Sequence, residues 1–287
     1  MTSHIYKKNL DPSNLLIITD LDGTLLDFET YSFEAAKPSL QMLNRLGVPV
    51  ICCSSKTSEE IRYWRRRLRL KAPFISENGA AVFLGLDQFG KLSGKSVKRN
   101  GCIVKEFGLP SRKLRQIFER VRRETGVEIE GFSDMKVSRI QKLCGFKSIR
   151  LAKTAAAREY SEPFIFPPDS NERAISRVLS SFKKYRLKVI KGNRFFHLVG
   201  DIDKGRAVRF LKKVYNDTMG TKYLTIGLGD GVNDIEMLKE VDIPVLVMGK
   251  NKRYNLAVKS SVDVIFAGAP GPDGWQRAID SILVNSI

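Results

Sequence analysis

Apolar runs of strand length that stop at a small or acidic residue constrain this chain more than any other feature. Residues 15–19 stop at Asp20, 48–53 at Ser54, 223–226 at Gly227 and 243–248 at Gly249. Between the runs, apolar residues recur three and four apart over 32–46, 58–70, 204–215 and 233–241, the period of a helix with one buried face. Strands alternating with helices predict βαβ units, and hence an α/β fold with a doubly wound, mostly parallel sheet and a Rossmann-like core. In such a sheet the ligand lies beyond the carboxyl ends of the strands, which is where the acidic and hydroxyl residues gather.

The middle of the chain has another pattern. Long basic helices are predicted over 111–125 and 171–185, with strand-like pieces at 127–132, 163–166 and 187–190. We expect residues 86–192 to form an inserted α+β cap domain, with 1–85 and 193–287 as the catalytic core. Residues 86–192 hold 25 Lys and Arg against 11 Asp and Glu, so they carry most of the chain's net charge of +18. That charge suits either a solvated surface or the steering of anions. It also raises nucleic acid as a partner, but no helix-turn-helix, zinc-finger or RNP-type signature accompanies it.

Composition narrows the class. Of 287 residues, 43% are hydrophobic and 28% charged, as in soluble globular proteins. No apolar run approaches the ~20 residues that span a bilayer. Residues 1–14 are polar and lack the apolar segment of a secretion signal. Cys52, Cys53, Cys102 and Cys144 have no C-x-x-C spacing and read as free thiols. A cytoplasmic location is expected, with no membrane partner.

The sharpest motif is Asp20-Leu21-Asp22-Gly23-Thr24, directly after a strand. Two carboxylates two residues apart leave the strand on one side, and a divalent cation is the simplest means of holding both there. A second acidic group, Gly229-Asp230-Gly231-Val232-Asn233-Asp234, follows another strand and precedes a helix. If the helix begins between them, Asp230 and Asp234 share a cleft. Ser54 ends a strand and Lys204 starts a helix; a hydroxyl can donate to a phosphoryl oxygen and an ammonium can offset its charge. Singly, Ser54 is equally a helix cap and Lys204 a surface lysine. The segment 90–96 imitates a phosphate loop, but that spacing needs glycine where Phe89 stands.

In chain order these pieces resemble the haloacid-dehalogenase-like phosphatase superfamily: Asp20 and Asp22, then Ser54, then Lys204, then Asp230 with Asp234. Cys53-Ser54-Ser55-Lys56-Thr57, Glu77-Asn78-Gly79-Ala80, the segment 158–164, Arg194 to Leu198 and Gly271-Pro272-Asp273-Gly274-Trp275 are similar to the narrower mannosyl-3-phosphoglycerate phosphatase family. The chain departs from it at Asp273, where glutamate is expected, and at 191–193, where the family turn is richer in glycine. The resemblance implies a Mg²⁺-dependent phosphatase in which Asp20 is the nucleophile and Asp22 the general acid and base. Ser54 and Lys204 would hold the phosphoryl group, and Asp20, Asp22, Asp230 and Asp234 would serve the metal. Ser55, Lys56, Asn78, Arg158, Ser161, Arg194, His197 and Asn233 would meet the substrate, a small phosphorylated sugar-glycerate. The expected reaction releases mannosylglycerate and phosphate, in mannosylglycerate biosynthesis. A glucosyl-3-phosphoglycerate or other sugar-phosphate phosphatase is the alternative within the class, and a non-catalytic nucleic-acid-binding protein the alternative outside it. Specific nucleic-acid binding is not expected, and oligomeric state is not legible.

Overall fold

Strand β1 (Leu15–Thr19) is buried along its whole length, and its side chains divide between two cores. Leu15 and Ile17 pack on one face with Trp64, Val245 and Trp275, and Leu16 and Ile18 on the other with Val208, Leu211 and Tyr215. Alternate residues of a strand point to opposite faces, so the unbroken apolar run Leu15 to Ile18 needs a layer on each. The computed structural model describes residues 10–90, 96–192 and 194–284. The residues 1–9, which include His4 and most of the polar N-terminus, and 91–95 of the phosphate-loop imitation lie outside the described residues.

Around β1 stand β2 (Val50–Cys53), β3 (Phe74–Ser76), β4 (Ala81–Gly85), β5 (Val97–Arg99) and β6 (Cys102–Glu106). A second group comprises β7 (Glu130–Gly131), β8 (Ser161–Ile165), β9 (Lys188–Lys191) and β10 (Phe196–Val199). The chain then returns through β11 (Leu224–Gly229), β12 (Ile243–Met248) and β13 (Ile265–Pro270). The larger sheet has nine strands in the order β13-β12-β11-β1-β2-β3-β4-β6-β5, parallel from β13 to β3 and antiparallel beyond. The crossovers from β1 run to β2 on one side and, after the insert, to β11 on the other. The crevice between β1 and β11 is therefore the switch point where such sheets bind ligands.

The smaller sheet, β7-β8-β10-β9, is antiparallel throughout. Its helices Ser111–Thr125 and Glu172–Lys184 bury Leu114, Phe118, Val121, Val178 and Phe182 against Phe164 and Leu198. Arg112, Lys113, Arg123, Arg173 and Lys183 stay exposed on their other faces. The opposite side of the sheet carries Phe195 into a separate cluster with Phe132, Ile140 and Phe146.

Sheet membership differs from the expected division in two places. Strand β6 pairs with β4 and β5 with β6 in the larger sheet, although the sequence pattern puts 97–106 in the insert, and β10 pairs with β8 and β9 in the smaller one, although the pattern puts 196–199 in the core. Both differences have one cause: an antiparallel strand's partners are set by what the fold lays alongside it, which no local pattern announces. The smaller sheet and the helices packed on it fall between residues 111 and 199. The expected strand at 127–132 shrinks to β7, and the helix expected over 32–46 is a 3-10 turn, Glu34–Ala36, followed by Lys37–Arg45. Cys52, Cys53 and Cys144 are buried free thiols and Cys102 a half-buried one.

Candidate active site

The chain leaves β1 beside β11, where the Asp20 amide donates to the Leu228 carbonyl at 2.9 Å. It then turns back through Gly23 N–H to Leu26 O (2.9 Å) and Leu26 N–H to Leu21 O (2.8 Å). Gly23 has φ of +85°, and a Cβ there would lie 2.8 Å from Asp230 Oδ2. Only glycine meets both conditions. Thr24 donates its hydroxyl to Asp230 Oδ1 at 3.2 Å, so the two acidic motifs are tied directly.

Lys204 lies beneath them, 1% exposed. Asp203 caps its helix by accepting from the Arg206 amide at 2.7 Å, which sets Lys204 at the first helical position, facing inward. Its ammonium donates to Asp20 Oδ1 at 2.7 Å and Asp234 Oδ1 at 2.6 Å. The other Asp234 oxygen accepts from the amides of Asp230 (3.1 Å) and Gly231 (3.0 Å). Burial pulls the Lys204 ammonium down, but Asp20 and Asp234 outweigh it and the net shift is upward. Burial lifts the Asp20 carboxyl to about 7; Lys204 draws it down, while Asp234 and Asp22 push it up.

Ligand oxygens of Asp20, Asp230 and Asp234 lie within 4.8 Å of one another, an all-oxygen donor set that fits a hard divalent cation such as Mg²⁺. Both oxygens of Asp234 are engaged, one by Lys204 and the other by the amides of Asp230 and Gly231, so Asp234 fixes that loop and the lysine. Behind β1 the fully buried Trp275 donates its indole N–H to the Thr19 hydroxyl at 3.1 Å, and that hydroxyl donates to the Asp20 carbonyl at 2.7 Å.

A cavity of about 80 Å³ opens from Asp20 toward the insert. Of the expected residues, Asp20, Asp22, Ser55, Lys56, Arg158, Arg194, His197, Asp230 and Asn233 line it. Lys204 and Asp234 bond to the floor. Lys56 reaches Asp22 Oδ2 at 2.8 Å and Glu60 Oε1 at 3.7 Å. His197 is 6% exposed and its Nδ1 has no hydrogen-bond partner among the described residues. Burial, helped by the charges of Arg158 and Lys204, lowers its pKa to about 3, so the ring is neutral.

Besides Lys204 and Asp234, three expected residues are not on the wall. Ser54 is fully buried, its hydroxyl accepting from the Lys56 amide at 3.3 Å. Ser161 donates to Glu77 Oε2 at 2.5 Å, and Glu77 also accepts from the amides of Glu159 and Tyr160, so this serine belongs to a joint between core and insert. Asn78 is buried with φ of +58°, its amide donating to the Ser54 carbonyl at 3.0 Å.

Sequence reasoning missed Tyr31, Glu60 and the aromatic wall of Phe28, Phe132, Phe146 and Phe195. A signal existed for Glu60: Thr57 and Glu60 form a capping box, three residues apart at a helix start. Tyr31, at φ of +58°, had none.

The haloacid dehalogenase-like hydrolase family matches residues 17–265. The chain is 40% identical over 269 residues to a glucosyl-3-phosphoglycerate/mannosyl-3-phosphoglycerate phosphatase of Methanococcoides burtonii, covering 93% of this chain and 97% of that one. It is 39% identical to a protein of the same description from Persephonella marina, covering 94% and 97%. Among solved structures, protein 0175 of Thermoplasma acidophilum superposes with a TM-score of 0.68 at 17% identity, over 93% and 97% of the two chains, a likeness of fold. The chain belongs to the haloacid dehalogenase-like hydrolase family, as a phosphoric monoester hydrolase.

Proposed function

We propose that this enzyme hydrolyses mannosyl-3-phosphoglycerate to mannosylglycerate and phosphate, with glucosyl-3-phosphoglycerate as the competing substrate, through an aspartyl-phosphate on Asp20. The observation that carries the reading is the placement of Asp20 on Lys204, beside Asp230, at the mouth of a cavity that also holds Asp22 and three cationic side chains. The two relatives from Methanococcoides burtonii and Persephonella marina bear sugar-3-phosphoglycerate phosphatase names.

Asp20 attacks phosphorus in line, and the bond to the leaving oxygen breaks as the acyl phosphate forms. Asp22, two residues on and facing the same cavity, gives its proton to the departing oxygen. It then takes one from the water that attacks the acyl phosphate, and Asp20 is regenerated. Lys204 keeps Asp20 oriented and offsets charge as it builds up on the phosphoryl oxygens. Asp20, Asp230 and the Asp22 carbonyl would hold Mg²⁺, which when bound shields the phosphate charge from the attacking carboxylate. The aromatic wall keeps bulk water from the acyl phosphate.

A phosphate-release screen over sugar-3-phosphoglycerates, hexose phosphates and 3-phosphoglycerate, with chelator and with Mg²⁺, tests this. Release from the sugar-glycerates, abolished by chelator and restored by Mg²⁺ better than by Ca²⁺, is expected. Equal turnover of every ester, or full activity after exhaustive chelation, contradicts it.

A further inference from the structure

The cationic side chains on the cavity wall fall into two kinds. Arg194 donates one terminal nitrogen to the Cys144 carbonyl and the other to the Phe28 carbonyl at 2.5 Å, with its guanidinium 4.6 Å from the Phe28 ring. It joins a loop of the core to the end of an insert helix. Arg158 donates Nη1 to the Ser55 carbonyl at 2.7 Å and Nε to the Ala155 carbonyl at 2.8 Å, with Nη2 3.6 Å from Glu60. Paired recognition of a carboxylate needs two adjacent guanidinium nitrogens together. Two nitrogens of each guanidinium are held by main-chain carbonyls, so turning either one onto a ligand carboxylate gives up bonds that join the wall, and each serves as a strut.

Lys56 is different. Its side chain is 4% exposed, yet it lines the cavity, and among the described residues its ammonium makes one contact of hydrogen-bond length, to Asp22. Glu60, its second carboxylate neighbour at 3.7 Å, accepts from the Thr57 amide with its other oxygen. The rings of Tyr31 and Phe146 flank the ammonium at 5.1 Å and 5.8 Å. A lysine has three N–H donors and no fixed fork, so it meets a carboxylate as a point charge and needs no reorganisation of a strut.

Resting on the sugar-glycerate reading above, we infer that Lys56 is the specificity-determining residue that recognises the glycerate carboxylate of the substrate, while Arg158 and Arg194 position the wall around it. In a 3-phosphoglycerate unit the carboxylate is separated from the phosphate-bearing carbon by a single carbon. A leaving oxygen that meets Asp22 therefore brings the carboxylate to the lysine that already touches Asp22. A phosphate ester without that carboxylate leaves the ammonium with Asp22 and the two rings alone.

The test compares a sugar-3-phosphoglycerate with the sugar-glycerol phosphate in which the carboxylate is replaced by CH₂OH. The wild-type ratio of kcat/KM favours the carboxylate substrate, and Lys56→Gln is expected to shrink that ratio by about ten- to a hundredfold. Because Lys56 touches Asp22, both rates will fall, and the ratio alone bears on recognition. Arg194→Lys and Arg158→Lys are expected to lower both rates in parallel with the ratio kept. If Lys56→Gln melts early, Lys56→Met, with an unbranched chain between the two rings, gives the same ratio. An unchanged ratio in the Lys56 variants, or one that collapses only in an arginine variant, overturns the inference. A wild-type enzyme inert toward every sugar-3-phosphoglycerate would instead sink the substrate reading, and that is seen before any variant is made.

Discussion

Lys204 lets two buried carboxylates share one end of the sheet: Asp20 takes one of its N–H donors at 2.7 Å and Asp234 another at 2.6 Å. Truncation strands both charges. Lys204→Met should therefore lose about 3–5 kcal/mol of stability, the cost of breaking a buried ion pair from one side, and nearly all turnover. Denaturant unfolding beside phosphate release checks both. Trp275 acts at one remove, through the Thr19 hydroxyl on the Asp20 carbonyl. Trp275→Phe should cost about 1–3 kcal/mol and lower kcat about tenfold with KM kept, since it loosens the nucleophile and not the cavity. A change confined to KM, with kcat intact, would argue against that role. His197 makes a pH prediction. Its folded pKa of about 3 lies below its ordinary 6.5. Between those values the unfolded chain binds more protons, so stability is full above pH 6.5 and is lost as pH falls toward 3. His197→Phe should flatten that acid limb in thermal melts taken across the range. At this scale the gathering of carboxylates at the strand ends was legible, because an acidic residue directly after an apolar run is held there by a charge partner and not by packing, whereas Lys204 alone reads as a surface lysine and entered only with the family resemblance. The Trp275–Thr19 bond was not, since it joins residues far apart in the chain that nothing local connects.

Elements were legible up to a different limit. The parallel strands and the basic helices of the insert could be read because each carries its own period: Ser111–Thr125 and Glu172–Lys184 lie within a residue of expectation. The antiparallel strands β5, β6 and β10 could not be assigned to a sheet, because their pairing depends on what lies alongside. The turn after β3 shows how tertiary contact overrules local preference: Glu77, Asn78 and Gly79 all have positive φ, at 47°, 58° and 94°. The turn holds because Glu77 accepts three donors from residues 159–161 and Gly79 lies against the Asp203 carbonyl, where a Cβ would stand 2.1 Å away. Gly79→Ala forces either the turn or the start of the Lys204 helix to move. It should lower stability by more than about 1 kcal/mol and reduce kcat as well, whereas Gly47→Ala, with open space around its Cβ, should reduce stability through φ alone and leave kcat unchanged. Melts and kinetics on the pair separate the two effects.

For the molecule as a whole, the charge excess of the insert is carried largely by helix faces turned away from the smaller sheet, while Phe195 on its other side lies at the cavity. Neutralising Lys113, Arg123, Arg173 and Lys183 to Gln together should alter kcat/KM by less than about threefold at physiological salt, where the screening length is about 8 Å. A tenfold loss that disappears at high salt would reveal steering over a longer range. Among the described residues no helix is long and apolar enough to cross a membrane. Everything proposed about the reaction depends on where the phosphoryl group goes first. The most direct measurement is to mix enzyme with substrate and Mg²⁺, quench in acid within a turnover, and locate the modified residue by mass spectrometry of peptides. The account predicts one phosphoryl group on Asp20 in the wild-type enzyme and none in Asp20→Asn, which should also release no phosphate. A phosphoryl group on another residue, or an Asp20→Asn protein that turns over at the wild-type rate, would contradict it.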